Sequence, residues 1–250
     1  MEQPLDNSNT LLAAAVGFVL VETSHPGNIG AAARAMKTMS LSDLALVSPK
    51  EYPCAEATAR AAGADDVLAA APVYKELSKS LSDRTLVFGT TARMRSEKWP
   101  CVTPREAAQL INQEVAKGGR VAVVFGRERS GLDNEELAHC HQLIRIPVNP
   151  AYSSLNLAAA VQVLAYELML SQSETGDVQI ERRQESLASM ADQDALLNQL
   201  DHIMDDTGFT QVDHPGLVRF HMRRLLLRAI PTSKEIKLLH GILRAIRNHL

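Results

Sequence analysis

Short apolar runs alternate with helical patterns up to about residue 170. The apolar runs are rich in Val and Leu and almost continuous, which is typical of strands covered on both faces of a parallel sheet. They lie at Val16–Val21, Leu44–Val47, Leu86–Phe88, Val121–Phe125 and Leu143–Val148. The helical patterns between them lie at Gly30–Met39, Ala55–Ala62, Val73–Leu81, Pro104–Lys117 and Glu135–His141. This alternation predicts an α/β fold with a mostly parallel sheet flanked by helices.

The pattern changes after Leu170, where the stretch SQSETGDVQIERRQES contains almost no apolar residues. Such stretches are typical of linkers and exposed loops. Two later segments, LVRFHMRRLLLRA and SKEIKLLHGILRAIRNHL, carry apolar residues in helical register. The chain is therefore predicted to contain one large domain over residues 1–170, a linker over 171–186 and a small helical C-terminal extension over 187–250.

Charge is distributed unevenly in the C-terminal part. Residues 171–216 contain ten Asp or Glu and two Arg, whereas residues 217–250 contain eight Lys or Arg and one Glu. The basic end has two interpretations, either a solvated helical hairpin with a basic outer face or an appendage that contacts phosphate. The pattern by itself leaves both open.

Composition is that of an ordinary globular protein, with 46% hydrophobic and 22% charged residues. The net charge of −3 argues against a general nucleic-acid-binding surface but not against a local basic patch. The longest apolar run, Leu11–Val21, is too short to span a bilayer and lacks the positive flank of a signal peptide, so no membrane association is expected. The three cysteines form no CxxC pair, which predicts neither a disulfide framework nor a metal site and fits a reducing cytoplasm.

The segment HPGNIGAAARAMK, residues 25–37, directly follows the first predicted strand. Pro26 and Gly27 predict a turn, and Asn28 is expected to cap the helix that follows. Arg34 lies inside that helix, near an N-terminus whose free amides attract anions. The segment contains neither a GxGxxG nor a P-loop GK[ST] motif. A plain strand–turn–helix with a surface arginine is the simpler interpretation.

Two further loops follow predicted strands. The first, FGTTARMR at residues 88–95, supplies small side chains and then Arg93 and Arg95. The second, VFGRERSGL at residues 124–132, places Glu128 between two arginines. Nearby positive charge lowers the pKa of a carboxyl group, so Glu128 should stay ionised. In open α/β sheets, ligands bind at this strand edge. The simpler alternatives are a loop with dispersed arginines and a surface ion-pair cluster.

The segment NPAYSSLNLAAAVQVLAYE, residues 149–167, combines a polar half with a helical half. The helical half, from Ala158 to Glu167, predicts a packed helix. The polar half carries more hydrogen-bonding groups than one helix cap requires. Together with the three preceding segments, it predicts a binding site more strongly than any one loop does.

These segments resemble the SpoU-type branch of the SPOUT superfamily, which are RNA 2′-O-methyltransferases. In that branch an Asn precedes an Arg by six residues in the first helix, as Asn28 and Arg34 do here. An FGxExxGL loop follows a sheet strand, as at residues 125–132 with Glu128, and an SLN segment opens the last helix, as at Ser154–Asn156. All three motifs occur in the same order, and the helical extension also matches tRNA-modifying members of the branch.

The resemblance implies an α/β domain whose C-terminal part forms a deep trefoil knot, and a homodimer formed through the knotted domains. It also implies S-adenosylmethionine as the methyl donor and tRNA, not DNA, as the partner. The acceptor would be the ribose 2′-hydroxyl of cytidine or uridine 32 in the anticodon loop. Matched by position, the cofactor-binding residues are Thr90, Thr91, Ala92, Gly126, Ile146, Ser153, Ser154 and Leu155.

The resemblance also implies roles for the polar side chains. Arg34 would contact the substrate phosphate and the 2′-hydroxyl, as a positioning and charge-stabilising group, because its guanidinium pKa is too high for a free base. Ser154 would orient the hydroxyl, while Asn28, Glu128 and Asn156 hold the site together. The candidates for RNA contact are Arg34, Arg93, Arg95, Arg223 and Arg224.

Other functions stay open at this point. The acceptor could be another tRNA or rRNA nucleotide, or the chain could be a non-catalytic RNA-binding protein that retains the knot. The intact motif residues argue against the second of these. An ordinary nucleotide-binding α/β enzyme is disfavoured, because neither a dinucleotide nor a P-loop fingerprint is present.

Overall fold

The computed structural model describes residues 12–92, 99–174, 185–209 and 215–249. Within these ranges a central sheet is covered on both faces. Its strands are β1 (Val16–Val21), β2 (Asp43–Val47), β3 (Val73–Tyr74), β4 (Leu86–Thr90), β5 (Cys101–Val102), β6 (Val121–Phe125) and β7 (Gln142–Ile144). The helices are α1 (Pro26–Thr38), α2 (Ala55–Ala61), α3 (Asp65–Ala70), α4 (Leu77–Ser80), α5 (Pro104–Ala116), α6 (Asn134–Leu137), α7 (Leu157–Glu174), α8 (Met190–Asp206), α9 (Pro215–Ala229) and α10 (Ser233–Arg247).

The strands lie in the order β3-β2-β1-β6-β4-β7-β5, and every neighbouring pair is parallel. This confirms the predicted α/β fold with a parallel sheet. Because the strands run in one direction, the C-terminal ends of β1, β4, β6 and β7 meet at one edge. The loops that carry the four polar segments therefore start next to each other.

Different elements pack against the two faces of the sheet. On one face, side chains such as Phe18, Phe88 and Phe125 pack against α1, α5 and α7 and are essentially inaccessible to solvent. On the other face, Val87 and Val124 pack under short helices and loops. Alternate residues of each strand thus face two separate apolar layers, which is why the strands read as continuous apolar runs.

The C-terminal extension packs directly on the second face of the sheet. Met190 of α8 and Leu227 of α9 are 2% and 3% exposed and belong to the same apolar cluster as Val87. The amide of Met190 donates to the carbonyl of Arg84 at 2.9 Å. The guanidinium of Arg224 lies 3.9 Å from the centre of the Trp99 ring. The predicted helical extension is therefore present, and it contributes to the main core as well as to its own.

Several predicted elements differ from the structure. The helix predicted over Val73–Leu81 is wrong, because Val73 and Tyr74 pair with β2 and only Leu77–Ser80 is helical. The last predicted strand ends at Ile144 instead of Val148, and Pro147 has no amide for a longer ladder. Helix α6 ends at Leu137, short of the predicted His141. Short edge elements carry too few residues for a periodic signal.

The helix predicted from Gly30 begins earlier, at Pro26. Proline suits the first helical position because its missing amide proton would have no partner there. Strand β5 and helix α3 were not predicted. The predicted domain boundary at residue 170 stays a prediction, and α7 continues to Glu174. No helix within the described ranges is long and apolar enough to cross a membrane.

Candidate cofactor cleft and active site

A cleft of about 250 Å³ opens at the C-terminal edge of the sheet. Three loops line it, one after β4, one after β6 and one after β7. Every residue predicted to contact the cofactor lies in its lining, namely Thr90, Thr91, Ala92, Gly126, Ile146, Ser153, Ser154 and Leu155. The strand order brings these loops together, because β6 and β7 both pair with β4.

The loop after β6, residues 126–132, folds back on itself. The amide of Gly131 donates to the carbonyl of Arg127 at 2.9 Å, and the two residues form an isolated antiparallel bridge. Gly131 has a φ of +69°, which favours glycine. A Cβ on Gly126 would collide with the backbone of Gly131 and Leu132. Both glycines of the motif are therefore required by the backbone that shapes the cleft.

The carboxylate of Glu128 points from this loop to the turn after β1. It accepts hydrogen bonds from the Ser24 hydroxyl at 2.7 Å, from the Ser24 and His25 amides and from Asn28 Nδ2 at 3.0 Å. Partial burial raises the pKa of Glu128, but the hydrogen bonds from Asn28 and Ser24 lower it more, to about 2. Glu128 is therefore ionised at neutral pH and serves as an acceptor only.

Asn28 and Asn156 extend this contact to the start of α7. Asn156 Nδ2 donates to Asn28 Oδ1 at 3.0 Å, and Asn156 Oδ1 accepts from the amide of Ala158 at 2.9 Å. The prediction that Asn28 caps α1 is wrong, since His25 is the N-cap residue and Asn28 lies in the first turn. Its amide is instead oriented by Glu128. One hydrogen-bonded chain, Glu128–Asn28–Asn156, thus connects all three sequence motifs.

Arg34 lies exposed on α1, outside the lining of the cleft. It borders a second, open groove of about 510 Å³ together with Arg60 of α2 and with Ala158, Ala159 and Gln162 of α7. Ser154 lines the cleft and is exposed as well. The N-terminus of α7 therefore separates the two residues expected to act on the acceptor, with the cleft on one side and the groove on the other.

Of the four remaining RNA-contact candidates, the structure describes Arg223 and Arg224. Arg93 and Arg95 are outside the described residues. Arg223 has a side chain only 12% exposed, forms an ion pair with Asp194 at 2.6 Å and lies 3.2 Å from the His139 ring. Arg224 lies over Trp99. The structure does not bring Arg223 or Arg224 to the cleft itself.

Two groups of residues that build the site were not predicted from the sequence. Ser24 supplies two donors to Glu128, and Glu22 and Glu136 both bind the side chain of Arg127. The polar run ETS directly after β1 was the available signal for Ser24 and Glu22. Nothing in the spacing indicated which loop those residues would contact.

The chemistry of the cleft suits a small organic cofactor. Side chains of Ile146 and Leu155 supply apolar surface for a flat ring, while Ser153 and Ser154 supply hydroxyl groups. Among the residues that the structure describes, no group of three or more His, Cys, Asp or Glu side chains is placed to hold a metal ion.

Comparison with known proteins agrees with this architecture. A model of the SpoU rRNA Methylase family matches residues 15–166, and a model of the C-terminal domain of the tRNA methyltransferase TrmJ matches residues 191–250. The tRNA (cytidine/uridine-2′-O-)-methyltransferase TrmJ of Photorhabdus laumondii is 44% identical over 232 residues, covering 92% of this chain and 96% of that protein. Its Escherichia coli K12 namesake is 46% identical over 234 residues, covering 92% and 94%.

Among solved structures, TrmJ from Zymomonas mobilis ZM4 aligns with a TM-score of 0.82 at 34% identity. The alignment covers 92% of this chain and 98% of that one, so it includes both the sheet domain and the C-terminal helices. Family models, sequence relatives and a solved structure agree over most of the chain. The chain belongs to the SpoU methylase family and, within it, to the TrmJ type of methyltransferase.

Proposed function

We propose that this chain methylates the ribose 2′-hydroxyl of cytidine or uridine 32 in the tRNA anticodon loop, with S-adenosylmethionine as the methyl donor. The observation that carries the proposal is the Glu128–Asn28–Asn156 chain, which joins the cleft to the helix of Arg34. The names of the two TrmJ relatives support a pyrimidine ribose of tRNA as the acceptor. The assignment of position 32 rests on the resemblance of the three motifs to those of SpoU-type tRNA methyltransferases.

The cofactor assignment is supported by the fit of the cleft. S-adenosylmethionine has a flat adenine ring, ribose hydroxyls and a charged amino-acid end. The apolar side chains of Ile146 and Leu155 suit the ring, and the loop residues Thr90, Ser153 and Ser154 bring hydroxyl and backbone groups for the polar parts. Gly126 allows the backbone of Gly131 and Leu132 to approach closely and so shapes the wall of the cleft. These residues would hold S-adenosylmethionine against the loops after β4, β6 and β7.

When bound, S-adenosylmethionine would supply the methyl group for transfer to the ribose oxygen, with a neutral thioether as the leaving group. The chain has to align the hydroxyl and favour the loss of its proton to solvent. The guanidinium of Arg34 would hold the neighbouring phosphate and stabilise developing negative charge on the oxygen. Ser154 would orient the hydroxyl from the cleft side.

This assignment places the acceptor nucleotide over the N-terminus of α7. Arg34 borders the groove on one side of that terminus, and Ser154 lines the cleft on the other. A ribose lying across it could contact both side chains, with its phosphate near Arg34 and its hydroxyl toward the cofactor. Asn156, which caps α7, would keep the helix start in place between them.

The rest of the tRNA would contact basic residues outside the cleft. We assign phosphate contacts to Arg93, Arg95, Arg223 and Arg224 and to the basic C-terminal helices. For Arg223, this requires the guanidinium to exchange Asp194 for a phosphate oxygen, because the two side chains are paired. Arg224 would bind phosphate while its planar group remains over Trp99.

The proposal includes a homodimer formed through a knotted sheet domain of residues 1–170, with residues 171–186 as the linker and 187–250 as the extension. The exposed face of α7 supports it, since the large side chain of Tyr166 is 46% exposed there. The three free cysteines agree with a cytoplasmic location.

Transfer of labelled methyl groups to tRNA transcripts, followed by mapping of the modified nucleotide, tests the proposal. We expect one labelled ribose, at position 32, only when S-adenosylmethionine is the donor. A transcript carrying 2′-deoxycytidine at position 32 is the matched control and should accept no label. Label on a base, or on a ribose outside the anticodon loop, would contradict the acceptor assignment.

A further inference from the structure

Two adjacent side chains of the loop after β6 are held by the same segment after β1. Glu128 binds Ser24 and Asn28, as described above, and Arg127 binds Glu22. The loop is therefore attached to the segment after β1 by two neighbouring side chains of opposite charge, Arg127 and Glu128. The first contact involves Glu128, which the FGxExxGL motif specifies, whereas the second involves Arg127 and Glu22, which none of the three motifs specifies.

The guanidinium of Arg127 joins two carboxylates. Its Nε and Nη2 donate to Glu22 at 2.8 and 2.7 Å, and its Nη1 and Nη2 donate to Glu136 at 2.9 and 3.0 Å. Only the planar fork of arginine can make such paired contacts on two sides, since a lysine ammonium is a single point of charge. The hydrogen bonds from Arg127 to Glu22 and then to Glu136 raise the pKa of Arg127 above its ordinary value.

The backbone of Glu22 and the carboxylate of Glu136 are each held by a further contact. Glu22 has a φ of +45°, a left-handed backbone that a residue with a Cβ adopts only when other contacts hold it there. Its amide donates to the carbonyl of Val47 at 2.8 Å. Glu136 accepts from the amide of Asp133 at 2.8 Å in the capping box of α6. Arg127 thus links the end of β1 to the start of α6.

Arg127 also lies at the point where the loop closes. Its carbonyl accepts from the amide of Gly131, its Nη1 lies 3.4 Å from the carbonyl of Gly131, and its side chain lines the cleft. A change in the direction of the Arg127 side chain would therefore move the backbone that borders the cofactor. It would also move Glu128, the next residue, relative to Asn28.

We propose that Arg127, clamped between Glu22 and Glu136, is a positioning residue that sets the shape of the cofactor loop and its register against the turn carrying Asn28. The inference rests on the proposed function for the identity of the cofactor. The clamp itself is a property of the chain alone. It predicts that cofactor affinity, more than stability, depends on the paired geometry of Arg127.

The experiment compares the full-length wild type with Arg127→Lys, Arg127→Gln and Glu22→Gln. We expect Arg127→Lys, which keeps the charge but loses the paired contacts, to raise KM for S-adenosylmethionine about tenfold, with KM for tRNA within twofold of wild type. Hydrogen exchange of the Gly131 amide, measured without cofactor, should be about tenfold faster in both Arg127 variants. Glu22→Gln should show the same changes to a smaller extent.

Arg105→Gln is the matched control, because Arg105 forms a single ion pair, with Glu167 at 3.2 Å, and neither residue lines the cleft. It should leave both readouts unchanged. A lower unfolding temperature with unchanged KM and exchange in the Arg127 variants would show a purely structural role and overturn the proposal. If the Arg127 variants do not fold, the KM and exchange measurements on Glu22→Gln test the proposal, because the Glu22 side chain is 47% exposed. A wild type that binds no S-adenosylmethionine would contradict the proposed function, while the exchange data still test the clamp.

Discussion

Asn28 and Asn156 are hydrogen-bonded side chain to side chain at 3.0 Å, although 128 positions separate them in the sequence. The ionised carboxylate of Glu128 accepts from the other end of Asn28 and so determines which way its amide points. The amide of Asn156 is oriented in turn, with its oxygen toward the first amides of α7. A single charge at Glu128 thus aligns two amides and one helix terminus.

Replacement of Glu128 by Gln should disturb this alignment. An amide offers one acceptor oxygen where the carboxylate offers two, so one of the donors from Ser24, His25 and Asn28 loses its partner. We expect a loss of about 1–3 kcal/mol in the free energy of unfolding and a fall in kcat/KM of about ten- to a hundredfold. Urea unfolding and methyl-transfer kinetics measure the two effects. Glu135→Gln, on the exposed side of α6, is the control and should change neither.

Two variants of Asn156 should separate its two contacts. Asn156→Ala removes the helix cap and the donor to Asn28, and we expect it to lose about 1 kcal/mol of stability as well as activity. Asn156→Asp keeps an acceptor for the Ala158 amide but cannot donate to Asn28, so its stability should remain near wild type while activity falls. Equal activity of Asn156→Asp and wild type would show that the Asn28 contact is dispensable.

Arg34→Ala should abolish methyl transfer while leaving the affinity for S-adenosylmethionine nearly intact, because Arg34 lies outside the cofactor cleft. Calorimetry and single-turnover methylation measure these quantities. Arg60→Ala is an informative comparison, since Arg60 borders the same groove. If both variants lose activity equally, the effect reflects the charge of the groove and not a specific role of Arg34.

The core contribution of the C-terminal extension can be tested within one helix. Leu227 is 3% exposed against the sheet, whereas Leu225, two positions away on α9, is 47% exposed. Leu227→Ala should reduce the free energy of unfolding by about 2–5 kcal/mol, and Leu225→Ala by less than about 0.5 kcal/mol. Similar small losses in both would mean that the extension does not stabilise the sheet.

The buried His141 should make the protein sensitive to acid. Burial lowers the pKa of His141 to about 4, and its Nδ1 accepts from the amide of Val87 at 3.0 Å. An unfolded histidine takes up a proton near pH 6.5, so this stabilisation is complete above pH 6.5 and is lost as the pH falls toward 4. The loss should be about 3 kcal/mol at pH 4. The free energy of unfolding, measured across this pH range, should change less with pH in His141→Asn, which retains an acceptor for the Val87 amide.

Much of the fold follows from local pattern. The continuous apolar strands at Val16–Val21 and Val121–Phe125 were predicted with the bounds that the structure shows, because strands buried on both faces carry a strong signal. Two-residue edge strands such as Val73–Tyr74 were missed or misassigned, since their pairing depends on a neighbour and not on their own composition.

The candidate site was predicted in part. Strand-end loops that contain glycine, serine and threonine indicated the cleft, because parallel strands bring their C-terminal ends to one edge. The contacts inside the site were not predictable in this way. Asn28 was predicted to be a helix cap, because Asn is a favourable cap residue by local criteria. In the structure its side-chain amide instead donates to Glu128 at 3.0 Å.

By itself the sequence determined the parallel α/β architecture, the position of its loops and the residue types at the cleft, because periodicity and turn chemistry are local properties. Only the tertiary structure decided that β6 lies between β1 and β4, and that order brings Arg127 and Glu128 against the turn after β1. It also decided that Arg34 and Ser154 lie on opposite sides of the start of α7. Contacts between residues more than a hundred positions apart depend on strand order, which no local pattern encodes.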